Sequence, residues 1–299
     1  MYKKLPPNLD ELDAYKNYSP LEDTHIGAVK DPYSSLEFYD LSHEWGAGKA
    51  PSYPGDPETI FDMNVKHAQF GVQAFKIRTN FHTGTHMCAP VHLFAFGDDL
   101  EHLSTDHFFG NGCILDLRNK ANWDKITADD LKAAGNIKDG DIVCINTGWH
   151  HKYSDSLEYF GEAPGLTLDA AEYLISKNVK LVAIDTPYVD SPIATNLTVH
   201  AGRQGPFMKR LVPTYIEKHP DGNDPYKEYP GFFPVGKALA KAGIPYIQQV
   251  AGDVDDITGK RVTMIATPWK TRRGAACPVR FTAMIDTTGE ARIDKGEAF

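Results

Sequence analysis

The segment FHTGTHMCAPVH places His82, His86, Cys88 and His92 within eleven residues, in a chain with 12 histidines among 299 residues. Imidazole nitrogen and thiolate sulfur are the donors zinc prefers, and three protein donors with one open position is the pattern of a catalytic zinc site. All four positions are even-numbered, so a straight strand would present them on one face. At roughly 3.3 Å per residue that strand would hold His82 and Cys88 about 20 Å apart, too far for one ion. A shared ion therefore requires a bend, and Gly84 and Pro90 supply a permissive and a rigid position for it. His92, just past Pro90, is either a fourth ligand or a free base. An unperturbed imidazole titrates near pH ~6.5, in the range of water on a catalytic zinc at about 7. Cys88 has three readings: metal ligand, covalent nucleophile with His86 or His92 as its base, and inert thiol. Further on, VDSPIATNLTVH carries His200 into a proline-broken loop after a strand ending at Pro187, the end of a parallel sheet where sites collect.

These residues need a scaffold, and the chain has the pattern of one. Residues 1 to about 36 are polar, with Pro6, Pro7, Pro20 and Pro32, and read as an amino-terminal arm. LEFYDLSHEW begins in alternation, and AFKIRTNFHTGTH sets Phe75, Ile77, Thr79 and Phe81 on one face of an expected half-buried strand. Two or three antiparallel strands are expected to open the fold. GNGCILDLR, GDIVCINTGW and VKLVAIDTP read as buried strands, separated by helices over 126–135 and 166–178, the second with a stripe of Leu168, Ala171, Leu174 and Ile175. Strand alternating with helix predicts an α/β core with parallel pairing. Residues 202–236 show no period and read as a long insertion, after which GKALAKAGIPYIQQV is helix into strand, and RVTMIATPWK with RFTAMIDT closes the fold. With no repeat and no clean linker, residues 37–299 are expected to form one domain behind the arm.

Composition narrows the partners. Lysine and arginine number 31 against 40 acidic residues, a net charge of -9, so the basic footprint of nucleic-acid or anionic-membrane binding is missing. The first twenty residues hold three prolines and lack an apolar run, and no later stretch resembles a membrane span, so a cytoplasmic location is expected. Cys113, Cys144 and Cys277 lie beside small or β-type apolar residues and read as reduced core side chains.

HTGTHMCAPVH resembles the H-x-G-T-H-x-D-x-P-x-H signature of the metal-dependent cyclase family, which includes bacterial kynurenine formamidase, isatin hydrolase and a zinc-dependent trans-dienelactone hydrolase. YDLSHEW, YPGDP, LEHLSTDHFFGNGCILDL, IKDGDIVCINTGW, APGLTLDAAEYLISKNVKLVAIDTPYVDSP and AGIPYIQQV to ATPWK resemble further family blocks in order, over about residues 38–287. The resemblance implies a swivelling β/β/α fold, a divalent metal and hydrolysis of an amide-like bond in a small molecule. It implies that His82 and His86 are metal ligands, His92 the catalytic histidine, and His200 a supporting histidine or additional ligand. Cys88 stands in place of the family aspartate and Gln248 in place of a frequent glutamate. Thiolate for carboxylate favours zinc over manganese, and a neutral Gln248 disfavours a second ion, so one zinc per chain is expected, with manganese possible. Trp45, Tyr53 and Trp149 fall in family blocks near the site and are candidates to line an aromatic pocket, with ordinary core packing as their alternative. Arg203, Lys209, Arg210, Lys270, Arg272 and Arg273 are candidates to meet a substrate carboxylate, with solvated surface charge as their alternative. The implied activity is opening of a lactone or cyclic amide by metal-bound hydroxide, with His92 as general acid and base. Aryl formamide hydrolysis and a non-catalytic binding relative are the alternatives. Family arms of this kind reach a neighbouring subunit, which implies a dimer or tetramer.

Overall fold

The computed structural model describes residues 23, 25–46, 48–195, 211–220, 228 and 231–289. Its first strands are β1 (Val29–Lys30), β2 (Leu36–Asp40), β3 (Ile60–Val65), β4 (Ala74–Arg78) and β5 (His86–Cys88), with a single helical turn, α1 (His67–Phe70), between β3 and β4. The middle of the chain supplies β6 (Phe109–Asp116), β7 (Lys125–Ile126), α2 (Ala128–Ala134), β8 (Ile142–Asn146), α3 (Leu157–Gly161), β9 (Gly165–Leu166), α4 (Leu168–Ser176) and β10 (Leu181–Ile184). The last part adds α5 (Leu211–Lys218), α6 (Pro234–Lys241), β11 (Tyr246–Gln248), β12 (Arg261–Ala266), β13 (Ala276–Pro278) and β14 (Phe281–Asp286).

Ten of these strands form one sheet in the order β1-β2-β14-β12-β6-β8-β10-β11-β5-β13. The run β6, β8, β10, β11 is parallel, and antiparallel strands flank it on both sides. The parallel centre is the expected strand–helix–strand pattern, and its strands are apolar on both faces because both are covered. Along β8 the period of two is plain: Ile142 and Cys144 enter one core layer with Leu41, Met87, Met264 and Phe281. Val143 and Ile145 enter the other, against Leu131 of α2, Leu174 of α4 and Leu239 of α6. Truncating a side chain such as Leu174 would cost about 2–5 kcal/mol through the cavity it leaves. Thr127 caps α2 in a reciprocal capping box with Asp130, which fixes where the helix begins. Cys113, Cys144 and Cys277 are buried and free, as expected of small core side chains.

Three sequence expectations change. The β3–β4 hairpin forms, but Phe75 and Ile77, 52% and 50% exposed, do not lie on a buried face: the hairpin is a two-stranded sheet separate from the ten-stranded one, and among the described residues they stay open. Leu168 is likewise exposed, so the stripe of α4 consists of Ala170, Ala171 and Leu174, with Ile175 partly buried against the same core. Within the segment read as an aperiodic insertion, Leu211–Lys218 is helical and α6 already starts at Pro234. The end of the expected arm also contributes structure, since Val29 and Lys30 pair with β2 at the sheet edge. Among the described residues no helix is long and apolar enough to cross a membrane.

Candidate active site

The histidine segment is held by β5, a three-residue strand clamped between two antiparallel neighbours. Cys88 faces Tyr246 of β11 and Ala276 of β13, and His86 faces Gln248 and Pro278. The bend ahead of β5 is made at Gly84, whose φ of +62° is left-handed. A Cβ there would collide with the Trp45 indole, so both conformation and space demand glycine. Thr85 locks the turn by donating to the Gln249 carbonyl (2.6 Å) and accepting from the His43 amide (2.8 Å). Beyond Cys88, Pro90–His92 forms a 3-10 turn that folds His92 back toward the strand. Helix α6 packs on that turn, with its first amides bonded to buried Asp190 at 2.8 and 3.0 Å.

The bend gathers the donors. Cys88 Sγ lies 3.5 Å from His82 Nδ1, and donor atoms of His82, Cys88 and His92 all fall within 4.8 Å of one another. The His82 and His92 rings are 4.4 Å apart between centroids. His86 stands next to this trio, with its ring centroid 5.3 Å from that of His82. It is fully buried; Nδ1–H donates to the Gly84 carbonyl at 2.7 Å, which leaves Nε2 unprotonated, and Nε2 makes no hydrogen bond of normal geometry, with Gln248 opposite on β11 as its polar neighbour. The trio whose donors converge thus contains His92, where the sequence reading had His86, because the Pro90 turn brings His92 back.

Burial governs the protonation of the whole group. Desolvation, with His86 and His92 adding to it, pushes His82 down to about 2. His86 is pushed to about 4, again by burial, with the Gly84 carbonyl opposing. His92 is exposed, yet the desolvation it does feel lowers its pKa as well. All three imidazoles are neutral at pH 7, the form in which they bind metals. The Cys88 thiol is raised by burial, and a protonated buried thiol is a poor nucleophile. A bound dication would ionise it outright. The unpartnered Nε2 of His86 and a set of neutral imidazoles with one thiol fit a zinc-type ion.

The other sequence candidates separate. Gln248 is close, with Oε1 3.9 Å from Cys88 Sγ and 3.4 Å from the Tyr53 hydroxyl. Tyr53 presents its ring edge-to-face to His86 at 6.0 Å and donates to the Pro187 carbonyl. Trp45 and Phe81 border a cavity of about 810 Å³ that also includes Trp269 and Arg78; none of the four donors lines it. Trp149 does not belong to that wall. It is 3% exposed, bonds through Nε1–H to the Tyr159 carbonyl, and packs with Tyr153, Tyr159 and Phe160, so it is an aromatic core residue. His200, Arg203, Lys209 and Arg210 lie outside the described residues, and Lys270, Arg272 and Arg273 are exposed. Tyr246 and Asp190 escaped the sequence reading; for Asp190 the signal was a lone acid in a proline turn before a helix.

A mixed sheet carrying a buried imidazole and thiol cluster at a bent strand is the setting of a metal-dependent hydrolase. The chain belongs to the Cyclase family, whose model matches residues 39–191. It is similar to kynurenine formamidase of Bacillus cereus strain ATCC 14579, at 26% identity over 165 residues, 55% of this chain and 75% of the relative. In fold it is similar to an isatin hydrolase bound to the product analogue thioisatinate, with a TM-score of 0.66 at 20% identity over 84% of this chain and 93% of the other. A structure described as a "Potential Metal-Dependent Hydrolase With Cyclase Activity" aligns with a TM-score of 0.55 at 22% identity over 83% and 98% of the two chains. The chain is a metal-dependent hydrolytic enzyme of this family.

Proposed function

We propose that the enzyme uses one zinc ion, held by His82, His86 and Cys88, to open a small cyclic ester or cyclic amide, with His92 carrying the proton. The observation that supports it is the convergence of His82, Cys88 and His92 beside the buried, unpartnered Nε2 of His86. His86 is the better third ligand because its Nδ1 bond to Gly84 already fixes the ring and the free nitrogen, as second-shell bonds do for metal histidines. His92 suits the proton carrier because it is exposed and exchanges with solvent. No Asp or Glu belongs to the convergent group among the described residues, which supports zinc over manganese and one ion over two.

Zinc bound in such a set polarises a carbonyl and acidifies water to a pKa of about 7. The residues do the rest. Neutral His92 accepts the proton of the attacking water and returns it to the departing oxygen or nitrogen, which remains tethered to the product when the scissile bond lies in a ring. Trp45 and Tyr53 offer flat apolar surface to such a ring, and Arg78 in the neighbouring cavity offers a charge for the new carboxylate. Aryl formamide hydrolysis is the second reading, favoured by the kynurenine formamidase relative. A panel of lactones, cyclic amides and aryl formamides assayed with zinc-loaded enzyme decides. Highest kcat/KM on a ring substrate supports the proposal; highest on a formamide selects the second reading; no turnover of any overturns both.

The same proposal includes a homo-oligomer. Ile60, Met63, Phe75 and Ile77 leave apolar surface exposed on the β3–β4 hairpin, which a second subunit would cover. Light scattering that reports a monomer at micromolar concentration would remove that part.

A further inference from the structure

A second group of donors lies at the carboxyl ends of β8 and β10, built from residues the hydrolytic site does not use. The 3-10 turn Trp149–Lys152 follows β8 and places His150 and His151 side by side. His150 Nδ1 is 3.1 Å from Oδ2 of Asp185, a fully buried carboxylate whose Oδ1 accepts from the amide and hydroxyl of Thr147. This fixes the ring. His150 Nε2 is buried without a hydrogen-bond partner and aims at Asp255 Oδ2, 3.5 Å away. His151 Nε2 is 2.8 Å from the same oxygen, and donor atoms of His150, His151 and Asp255 all lie within 4.8 Å of one another. Asp255 is itself steadied through Oδ1 by Asn146 (2.7 Å).

We propose that His150, His151 and Asp255 form a second divalent-metal site for a zinc-class ion, with water completing the coordination and Asp185 orienting His150. Ligand atoms on a tetrahedral zinc with bonds of ~2.0–2.1 Å lie about 3.3 Å from one another, close to the 3.5 and 2.8 Å that separate the two imidazole nitrogens from Asp255 Oδ2. Carboxylate–histidine–metal is a recurring arrangement, because the carboxylate sets the tautomer and makes the ring more basic. Charge agrees: Asp185 and Asp255 carry two negative charges, which a dication balances and a single imidazolium does not. Arg118 reaches Asp255 at 3.4 Å but is engaged through two nitrogens by Asp116. Asp255 and His151 are 104 positions apart, so the ion would staple the turn after β8 to the Val254–Ile257 turn.

The test titrates metal-stripped full-length protein with Co(II). Two equivalents are expected. One shows the near-ultraviolet charge-transfer band of a cobalt thiolate, reporting Cys88; the other shows only weak visible bands and raises the melting temperature. His151→Ala, at an exposed position, and His150→Gln should weaken the second equivalent at least roughly tenfold and leave the thiolate band unchanged. A single equivalent with the thiolate band, no cobalt binding, or a second equivalent kept at full affinity in both variants overturns the proposal. A band-free equivalent lost in His151→Ala with no thiolate band anywhere supports this site and counts against the Cys88 ligand instead.

Discussion

Among the described residues, two histidine groups respond to burial in opposite ways. At His82 and His86 there is no carboxylate partner in the convergent group, so desolvation wins and the rings are held neutral, down to about 2 and about 4. At His150 desolvation is also the largest influence, yet the nearby carboxylates of Asp185 and Asp255 together outweigh it and raise the ring to about 9. Burial alone therefore does not set the state of a histidine; the balance between desolvation and the carboxylates around the ring does, and at His43 a single carboxylate, Asp23, does not outweigh burial. The first group is electron-rich and unpaired, suited to a metal and to proton transfer. The second is an ion-paired brace between strand ends in the metal-free protein.

The largest effect that sharpens this contrast is at the first group. His82→Ala should release the metal and abolish nearly all hydrolysis, because two remaining ligands do not hold a catalytic zinc with an open position. Zinc content per chain checks it, and full occupancy in the variant would break the assignment. His92→Ala should separate chemistry from binding: metal retained, kcat lowered roughly 100- to 10,000-fold, as for loss of a positioned acid or base. A metal-free His92→Ala enzyme would mean that the convergent trio, with His92, is the ligand set.

A smaller effect is expected from the bend. Gly84→Ala forces a side chain into left-handed backbone against Trp45 and should destabilise by about 1–3 kcal/mol, with weaker zinc affinity. Thermal melts and a zinc titration read both, and an unchanged variant would show that the loop is not held as described.

The mildest test is pH, on metal-free protein. His150 binds its proton more tightly folded than unfolded, so its contribution is complete below the unfolded value of 6.5 and is lost as pH rises through about 9. His43, His151, Asp185, Asp255 and Arg118 are the titratable and charged groups around it. His82 and His86 bind protons less tightly folded, so their effect has the other sign: stability falls as pH drops below 6.5, toward about 4 for His86 and about 2 for His82. His150→Gln should flatten the alkaline limb of a stability–pH curve and leave the acid limb in place.

Much of this was legible in the sequence. The alternation of buried strand and capped helix from Gly110 to Pro187 gave the parallel centre, since period and caps are local properties. Gly84 and Pro90 pointed to a bend because a single ion allows no straight strand. What covers an apolar face is not local, so Phe75 and Ile77 read as the buried face of a strand although both are exposed among the described residues. An indole reads alike in a pocket wall and in a core, hence Trp149. The second histidine group was invisible because His151 and Asp255 meet only through the ends of separate elements.

The central claim is that Cys88 is a ligand of the hydrolytic metal, not a nucleophile. The most direct measurement follows alkylation of Cys88 by iodoacetamide together with ring-substrate hydrolysis, in zinc-loaded enzyme and during removal of the metal by a chelator. Bound zinc should shield the thiolate; as zinc leaves, hydrolysis should fall in proportion and Cys88 should become alkylated. Rapid alkylation of the zinc-loaded enzyme at Cys88, with hydrolysis persisting after the metal is gone, would contradict the account.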